Sequence, residues 1–364
     1  MLDAGMVERL SRVDTPALLL DFDAVRSNIR TMAEFFQPLA AKLRPHFKTH
    51  KCTKIAKMQM EAGAVGATCA KVSEAEILIG AGIRDVLIAN QIVGSLKVER
   101  LMSLVGRGVD LKVAVDDEEN VRELSRATTA RNITLGVLVE VDVGMSRCGL
   151  VPGPEMVKLC QFVDDSPSLV FRGLMGYEGH AVLTKDPEER KRQAAKAMEE
   201  LKHARDLVEE AGLEVEIVSA GGTGTYDIAG RAPGVTEVQA GSYVVMDATY
   251  LKIRPEFKPG LSVLSTIVSR PRKDAAIADA GLKSITGEFG LPEVLLPAGV
   301  RVRRLAEEHA ILELDPGVEL KVGQRVALLP SHCCTTVNLH DEFVVVERAK
   351  EAIRWPIEAR GKTQ

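Results

Sequence analysis

Residues 111–142 read LKVAVDDEENVRELSRATTARNITLGVLVEVD. Two short apolar runs, LKVAVD (111–116) and GVLVEVD (136–142), flank an amphipathic stretch, the pattern of strand, helix and strand. The alternation extends in both directions. Upstream lie LRPHFK (43–48), GATCAK (66–71) and DVLIAN (85–90). Downstream lie RGLMGY (172–177), VEIVSAG (215–221) and EVQAGSY (237–243), with a long helical stretch over roughly 187–212 before the seventh run. A first helix, DFDAVRSNIRTMAEFF, carries Val25, Ile29, Met32, Ala33 and Phe36 at helical spacing ahead of the set. Eight such β-then-α units predict an α/β protein with a (β/α)8 TIM-type barrel. A doubly wound sheet is the competing architecture, and the count of eight favours closure.

RPEFKPG (254–260) interrupts this pattern, and the segments beyond it, such as LSVLSTIVSR, HAILELD and EFVVVER, read as strands without long helices. The expected division is therefore a barrel over 16–255 and an all-β domain over 256–364, with residues 1–15 as candidates to join the latter. PALLLD (16–21) fits either unit.

The 364 residues are 46% hydrophobic and 27% charged, with a net charge of −4, which gives no electrostatic case for nucleic acid or an anionic membrane as partner. No apolar run approaches the roughly 20 residues of a membrane span, and MLDAGMVERLSRVDTP lacks a signal core, so a cytoplasmic location is expected. Six scattered cysteines argue against a disulfide framework.

A barrel turns position into chemistry, because active groups sit at strand C-termini and phosphate is commonly held after strands 7 and 8. The seventh strand runs into SAGGTGTY (219–226). There Gly221, Gly222 and Gly224 expose backbone N–H groups, and Thr223 and Thr225 add hydroxyls. In RPHFKTHK (44–51), Arg44, His46 and Lys48 would project to one side of the first strand, into the barrel. A lysine held among cations and partly desolvated loses proton affinity, which suits Schiff-base chemistry. Lysine and phosphate cradle together point to pyridoxal 5′-phosphate, although a sugar-phosphate aldolase with its own lysine satisfies the same two features. Arg147, beyond the fifth strand, could hydrogen-bond a phenolate, and Tyr177 ends the sixth. In SHCC (331–334), His332 and Cys334 would share one face of a strand; on spacing alone, a polar loop with a buried cysteine is the simpler reading.

RPHFKTHK, KVSEAEILIGAGI, VLVEVDVGMSRCG, GGTGTY, TEVQAGSYVVMD, ADAGLKS and PSHCCTTVNLHDEFVVV together resemble the D-threonine aldolase and D-serine dehydratase family. These are fold-type III pyridoxal-phosphate enzymes related to alanine racemase, and the resemblance runs nearly end to end. It implies a barrel, a C-terminal β domain and a homodimer. It also implies pyridoxal 5′-phosphate on Lys48, with Arg147 at the phenolate and His46 and Tyr177 at the cofactor. Gly222, Thr223, Gly224 and Thr225 would cradle the phosphate, with Tyr243 and Asp247 close by. A divalent metal is implied at His332 and Cys334, Zn²⁺ before Mn²⁺ because thiolate prefers zinc.

The implied reaction cleaves D-3-hydroxy-α-amino acids to glycine and an aldehyde. The alternative is a dehydratase converting D-serine or D-3-hydroxyaspartate to a 2-keto acid and ammonia. PSHCCTTVNLHDEFVVV and IEARG favour the aldolases, whereas Cys334 stands where aldolases carry aspartate. The aldolase pattern also has a histidine six residues after the tyrosine, where this chain has Leu183, so His180 is the candidate hydroxyl base. A non-catalytic pyridoxal-phosphate carrier would lack residues 256–364. A racemase needs a second base, and the only tyrosines, at 177, 226, 243 and 250, all precede that domain.

Overall fold

The computed structural model describes residues 10–106, 108–348 and 350–364. Its first strand, β1 (Ala17–Asp21), is buried at every position and belongs with the C-terminal part of the chain. The eight runs that follow all become strands: β2 (Lys42–Leu43), β3 (Ala67–Cys69), β4 (Asp85–Gln91), β5 (Asp110–Val115), β6 (Leu135–Glu140), β7 (Leu169–Met175), β8 (Ile217–Ala220) and β9 (Glu237–Val238). They form one parallel sheet in the order β2-β9-β8-β7-β6-β5-β4-β3. A parallel bridge between His46 and Thr68, with the Thr68 N–H donating to the Pro45 carbonyl at 2.9 Å, joins the extension of β2 to β3 and closes the ring. Closure is what periodicity left open, and it excludes the doubly wound alternative.

β6 is buried at all six positions, which is why it reads as a continuous apolar run. Leu87, Ala114, Leu138, Met175 and Ile217, one from each of five neighbouring strands, form a core cluster. Within the stretch quoted first, Asp117 caps the helix Glu118–Thr129 by accepting from the N–H groups of Glu119 and Asn120. Val121, Leu124 and Thr128 make the buried face of that helix.

The basic cluster at 44–51 departs from expectation. β2 stops at Leu43, and Phe47–Thr49 is a turn of 3-10 helix, so Arg44, His46 and Lys48 do not lie along one strand face. Arg44 is only 3% exposed; its Nε donates to Glu237 at 2.6 Å and its Nη1 to Asp85 at 2.6 Å. A cation this deep must be paired, so Arg44 is compensated rather than pressing its charge on Lys48. Lys112, also buried, adds Nζ contacts to Asp85 at 2.8 Å and Asp110 at 2.7 Å. Burial pushes the Asp85 carboxyl up, but Arg44 and Lys112 outweigh it and hold the group below its ordinary value. The second carboxylate oxygen of Glu237 has no hydrogen-bond donor among the described residues. Arg44→Ala is therefore expected to destabilise the protein by about 3–5 kcal/mol, because it strands a buried carboxylate. Urea unfolding of the variant against the parent measures this.

The remaining strands are β10 (Leu261–Arg272), β11 (Ala275–Ala278), β12 (Glu293–Leu296), β13 (Val300–Leu305), β14 (Ala310–Leu314), β15 (Arg325–Leu329), β16 (Glu342–Val346) and β17 (Ile353–Pro356). With β1 they make a nine-stranded sheet, ordered β13-β14-β11-β10-β1-β16-β17, with β15 on β10 and β12 on β15. Among the described residues of this sheet, only the β1–β16 pair is parallel. The expected boundaries shift accordingly. The β unit takes the described residues up to Thr31, Thr49–Lys54 and Ser242–Gly361, while Met32–Lys48, Ile55–Gly241 and Lys362–Gln364 make the barrel unit. Two pairings explain the shift. Leu19 and Leu20 pair with β10 on one side and β16 on the other, and the Ala248 N–H donates to the Pro330 carbonyl at 3.0 Å. Asp279, of ADAGLKS, accepts from the Thr15 and Ser265 hydroxyls and the Thr266 N–H, which makes it a structural tie within this unit. Of residues 1–15, 1–9 lie outside the described residues. Among the described residues no helix is long and apolar enough to cross a membrane.

Candidate active site

In the barrel unit the expected residues gather at the C-terminal ends of the strands. Beyond β6, the Asp142 carboxylate accepts from the N–H groups of Gly144 (2.9 Å) and Ser146 (3.0 Å), folding VDVGMSR into a tight turn. Gly144 has φ +110°, a conformation that favours glycine. This turn delivers Arg147, whose Nη2 lies 3.5 Å from Glu140. Glu140 also accepts from Gln91 Nε2 at 2.6 Å. Burial pushes its carboxyl up, against the pull of Gln91 and Arg147.

The Arg147 guanidinium carbon stands 5.7 Å from the Tyr177 ring centroid. Tyr177 in turn lies against Gly222, where an added Cβ would come within 3.1 Å of its ring. Arg147, Tyr177 and Gly222 are thus brought into one line, from three different strand ends. His180 is exposed just beyond, and a Cβ at Gly144 would reach within 3.4 Å of its ring. Lys48 is half-buried after the His46–Thr68 bridge, and its N–H approaches His46 Nδ1 at 3.5 Å.

The glycine-rich turn after β8 is braced from inside by a residue the sequence did not single out. Glu178 is fully buried, and burial pushes its carboxyl up. It accepts from the Thr225 hydroxyl and from the Gly221 N–H at 3.2 Å, while the Gly222 N–H donates to Thr225 Oγ1 at 3.3 Å. Thr225, expected to face a phosphate, spends its hydroxyl on the turn itself. Gly224 is required for a different reason, since a Cβ there would overlap the Val182 carbonyl. Thr223 is buried at 2% exposure.

In the β unit, Tyr243 is buried with its ring 5.8 Å from that of Phe257. Asp247 caps the helix Ala248–Leu251 through the N–H groups of Thr249 and Tyr250, and accepts from the Cys333 N–H at 2.9 Å. Both follow β9 in the chain, and both are grouped with the β unit.

The SHCC pair is not on a strand. β15 ends at Leu329 ahead of Pro330; His332 is the N-cap of the short helix Cys333–Val337, and Cys334 lies in its first turn. The two side chains nonetheless act on one another electrostatically. Burial alone would lower the His332 pKa, but Cys334 and then Glu288 raise it to about 9. The Cys334 thiol is held well below its ordinary value by Cys333 and His332. Its Sγ lies 3.4 Å from Thr49 Oγ1 and 4.0 Å from Ser242 Oγ. Cys333 is buried, as expected of a packing residue. A nitrogen and a sulfur ready to lose its proton form a donor set that fits a borderline-soft ion such as Zn²⁺. Among the described residues no group of three or more His, Cys, Asp or Glu is placed to hold a metal.

Residues 20–249 match the family described as alanine racemase, N-terminal domain, and residues 260–346 match a serine dehydratase domain. The 3-hydroxy-D-aspartate aldolase of Paracoccus denitrificans (strain Pd 1222) is 37% identical over 98% of this chain and 94% of that protein. The D-threonine aldolase of an Arthrobacter species is also 37% identical, over 97% of this chain and 94% of its own length. Among solved structures, D-threonine aldolase from Filomicrobium marinum superposes with a TM-score of 0.94 at 39% identity, covering 98% of both chains. A variant of D-threo-3-hydroxyaspartate dehydratase from Delftia sp. HT23, described as being in the metal-free form, gives a TM-score of 0.87 at 27% identity, over 95% of this chain and 98% of that one.

Proposed function

Because this chain belongs to the alanine racemase N-terminal domain family, completed by a serine-dehydratase-type domain, we propose that it is a pyridoxal-phosphate- and divalent-metal-dependent lyase cleaving D-3-hydroxy-α-amino acids to glycine and an aldehyde. The observation that carries the reading is the line Glu140–Arg147–Tyr177–Gly222 at the strand ends. Gly222 lets the turn after β8 pack directly on the tyrosine, since a Cβ there would crowd Tyr177 and Val182. This close approach of backbone to ring fits a turn that holds a phosphorylated ring beside Tyr177.

Pyridoxal phosphate, when bound, supplies an electron sink for the bond that breaks at Cα, and a divalent ion supplies a positive charge that acidifies the substrate hydroxyl. Lys48 would hold the cofactor through its Nζ. Arg147, oriented by Glu140, would hydrogen-bond the phenolate with its guanidinium. Tyr177 and the 222–224 turn would fix ring and phosphate, and His332 and Cys334 would hold the ion. His180 would take the proton from the β-hydroxyl oxygen. The Cα–Cβ bond then breaks, the Cβ–O bond becomes the aldehyde carbonyl, and Cα takes up a proton to give glycine.

Cys334 favours a second reading, the dehydratase, because the aldolase pattern carries aspartate there. In that reading Lys48 Nζ would remove the α-proton and the β-hydroxyl would leave as water. The released enamine, tautomerising to an imine, would be hydrolysed by water to a keto acid and ammonia. Incubation with D-threonine and D-3-hydroxyaspartate separates the two. Glycine equimolar with aldehyde is expected, and a keto acid equimolar with ammonia would establish the dehydratase instead. A homodimer in the cytoplasm is the setting we infer from the family resemblance.

A further inference from the structure

His332 is held on two sides by consecutive residues of a loop that no sequence motif marked. Its Nδ1 lies 2.7 Å from a Glu288 carboxylate oxygen. The Phe289 ring stacks on the imidazole, with centroids 4.2 Å apart and an interplanar angle of 16°. The Thr335 hydroxyl approaches the same Nδ1 at the longer distance of 3.5 Å.

The loop spans 281–291 without helix or strand, yet it is tied down just ahead of this contact. His340 Nε2 lies 2.7 Å from the Ser284 carbonyl, and the fully buried Ile285 anchors the chain next to it. The Thr286 N–H donates to Thr336 Oγ1 at 3.2 Å, and the Ser331 hydroxyl donates to the Thr286 carbonyl at 3.5 Å. Thr336 belongs to the helix that His332 caps, and Ser331 immediately precedes the cap. The backbone that offers Glu288 is thereby fixed to the backbone that offers His332.

An imidazole can donate a lone pair to a metal from only one nitrogen at a time, and the partner of the other nitrogen decides which. We propose that Glu288 and Phe289 are positioning residues that present His332 to a divalent ion through Nε2. Glu288 keeps the remaining proton at Nδ1, and Phe289 fixes the plane of the ring. With two protein donors in the set, affinity depends heavily on how well each is pre-aimed. The inference rests on the reading of His332 and Cys334 as the ion-binding pair.

The test measures Zn²⁺ affinity of the full-length, chelator-stripped protein by competition with a chromophoric chelator, with the visible spectrum of the Co²⁺-loaded form reporting coordination. Glu288 is 45% exposed, so its substitution leaves the fold intact, which thermal melting checks. Glu288→Ala is expected to weaken Zn²⁺ binding by about 10–100-fold and to alter the Co²⁺ spectrum. Glu288→Gln keeps an oxygen to accept the Nδ1 proton and should recover most of that loss. Phe289→Ala should weaken binding less than Glu288→Ala does. An affinity in Glu288→Ala within twofold of the parent, while His332→Ala loses binding, would overturn the positioning role and leave the ion pair standing. Unchanged Zn²⁺ affinity in His332→Ala would overturn both.

Discussion

Replacing Lys48 by alanine removes the visible absorbance of the purified protein and lowers turnover by at least about 10³-fold. That is the scale on which loss of a covalent catalytic group or essential base acts. The expectation follows from position. Lys48 is half-buried at the C-terminal end of the first barrel strand, the rim that also carries Arg147, Tyr177 and Gly222. Arg44 does not share the task, since Glu237 and Asp85 neutralise it. Lys71, just past β3, is another amine following a barrel strand and serves as the control. Lys71→Ala should keep colour and turnover. If Lys48→Ala keeps both and Lys71→Ala loses them, the attachment point has been misassigned. Absorbance spectra and steady-state rates of the two variants decide it.

Stripping the divalent ion with a chelator should lower turnover on the order of 10²-fold or more, with Zn²⁺ or Mn²⁺ restoring it. The physical basis is the donor set. Cys334 is held ready to lose its proton beside His332, and two protein donors leave coordination positions open for substrate. His332→Ala and Cys334→Ala should reproduce the stripped state, and added metal should not rescue them. Cys334→Asp restores the residue of the aldolase pattern and should retain activity while shifting preference from Zn²⁺ toward Mn²⁺, because a carboxylate is a harder donor than a thiolate. Full turnover in the stripped parent enzyme would remove the ion from the mechanism.

The barrel was legible in the sequence because its strands are covered on both faces. β6 reads LGVLVE with every side chain buried, the mark of a parallel sheet between helices; a doubly wound sheet gives the same runs, and the count of eight is what favoured the barrel. β1 was not assignable for the same reason. ALLLD suits any buried strand, and only its pairing with β10 and β16, hundreds of residues away, places it in the β unit. The role of Arg44 was hidden likewise, since Asp85 and Glu237 lie 41 and 193 residues from it. At the site, Arg147, Tyr177 and Gly222 could be picked out because motif and strand end coincide. Glu178 and Glu288 could not, because a carboxylate that braces a turn or a histidine looks in sequence like any surface acid. His332 and Cys334 were chosen because the family resemblance implies a metal there; their expected place on a strand does not hold, since the strand ends before Pro330 and His332 caps a short helix.

The central claim is tested most directly by reducing the native enzyme with borohydride and mapping the modified peptide by mass spectrometry. A single phosphopyridoxyl group on Lys48 is the predicted result. The same group on another lysine, or none on the protein, would contradict it.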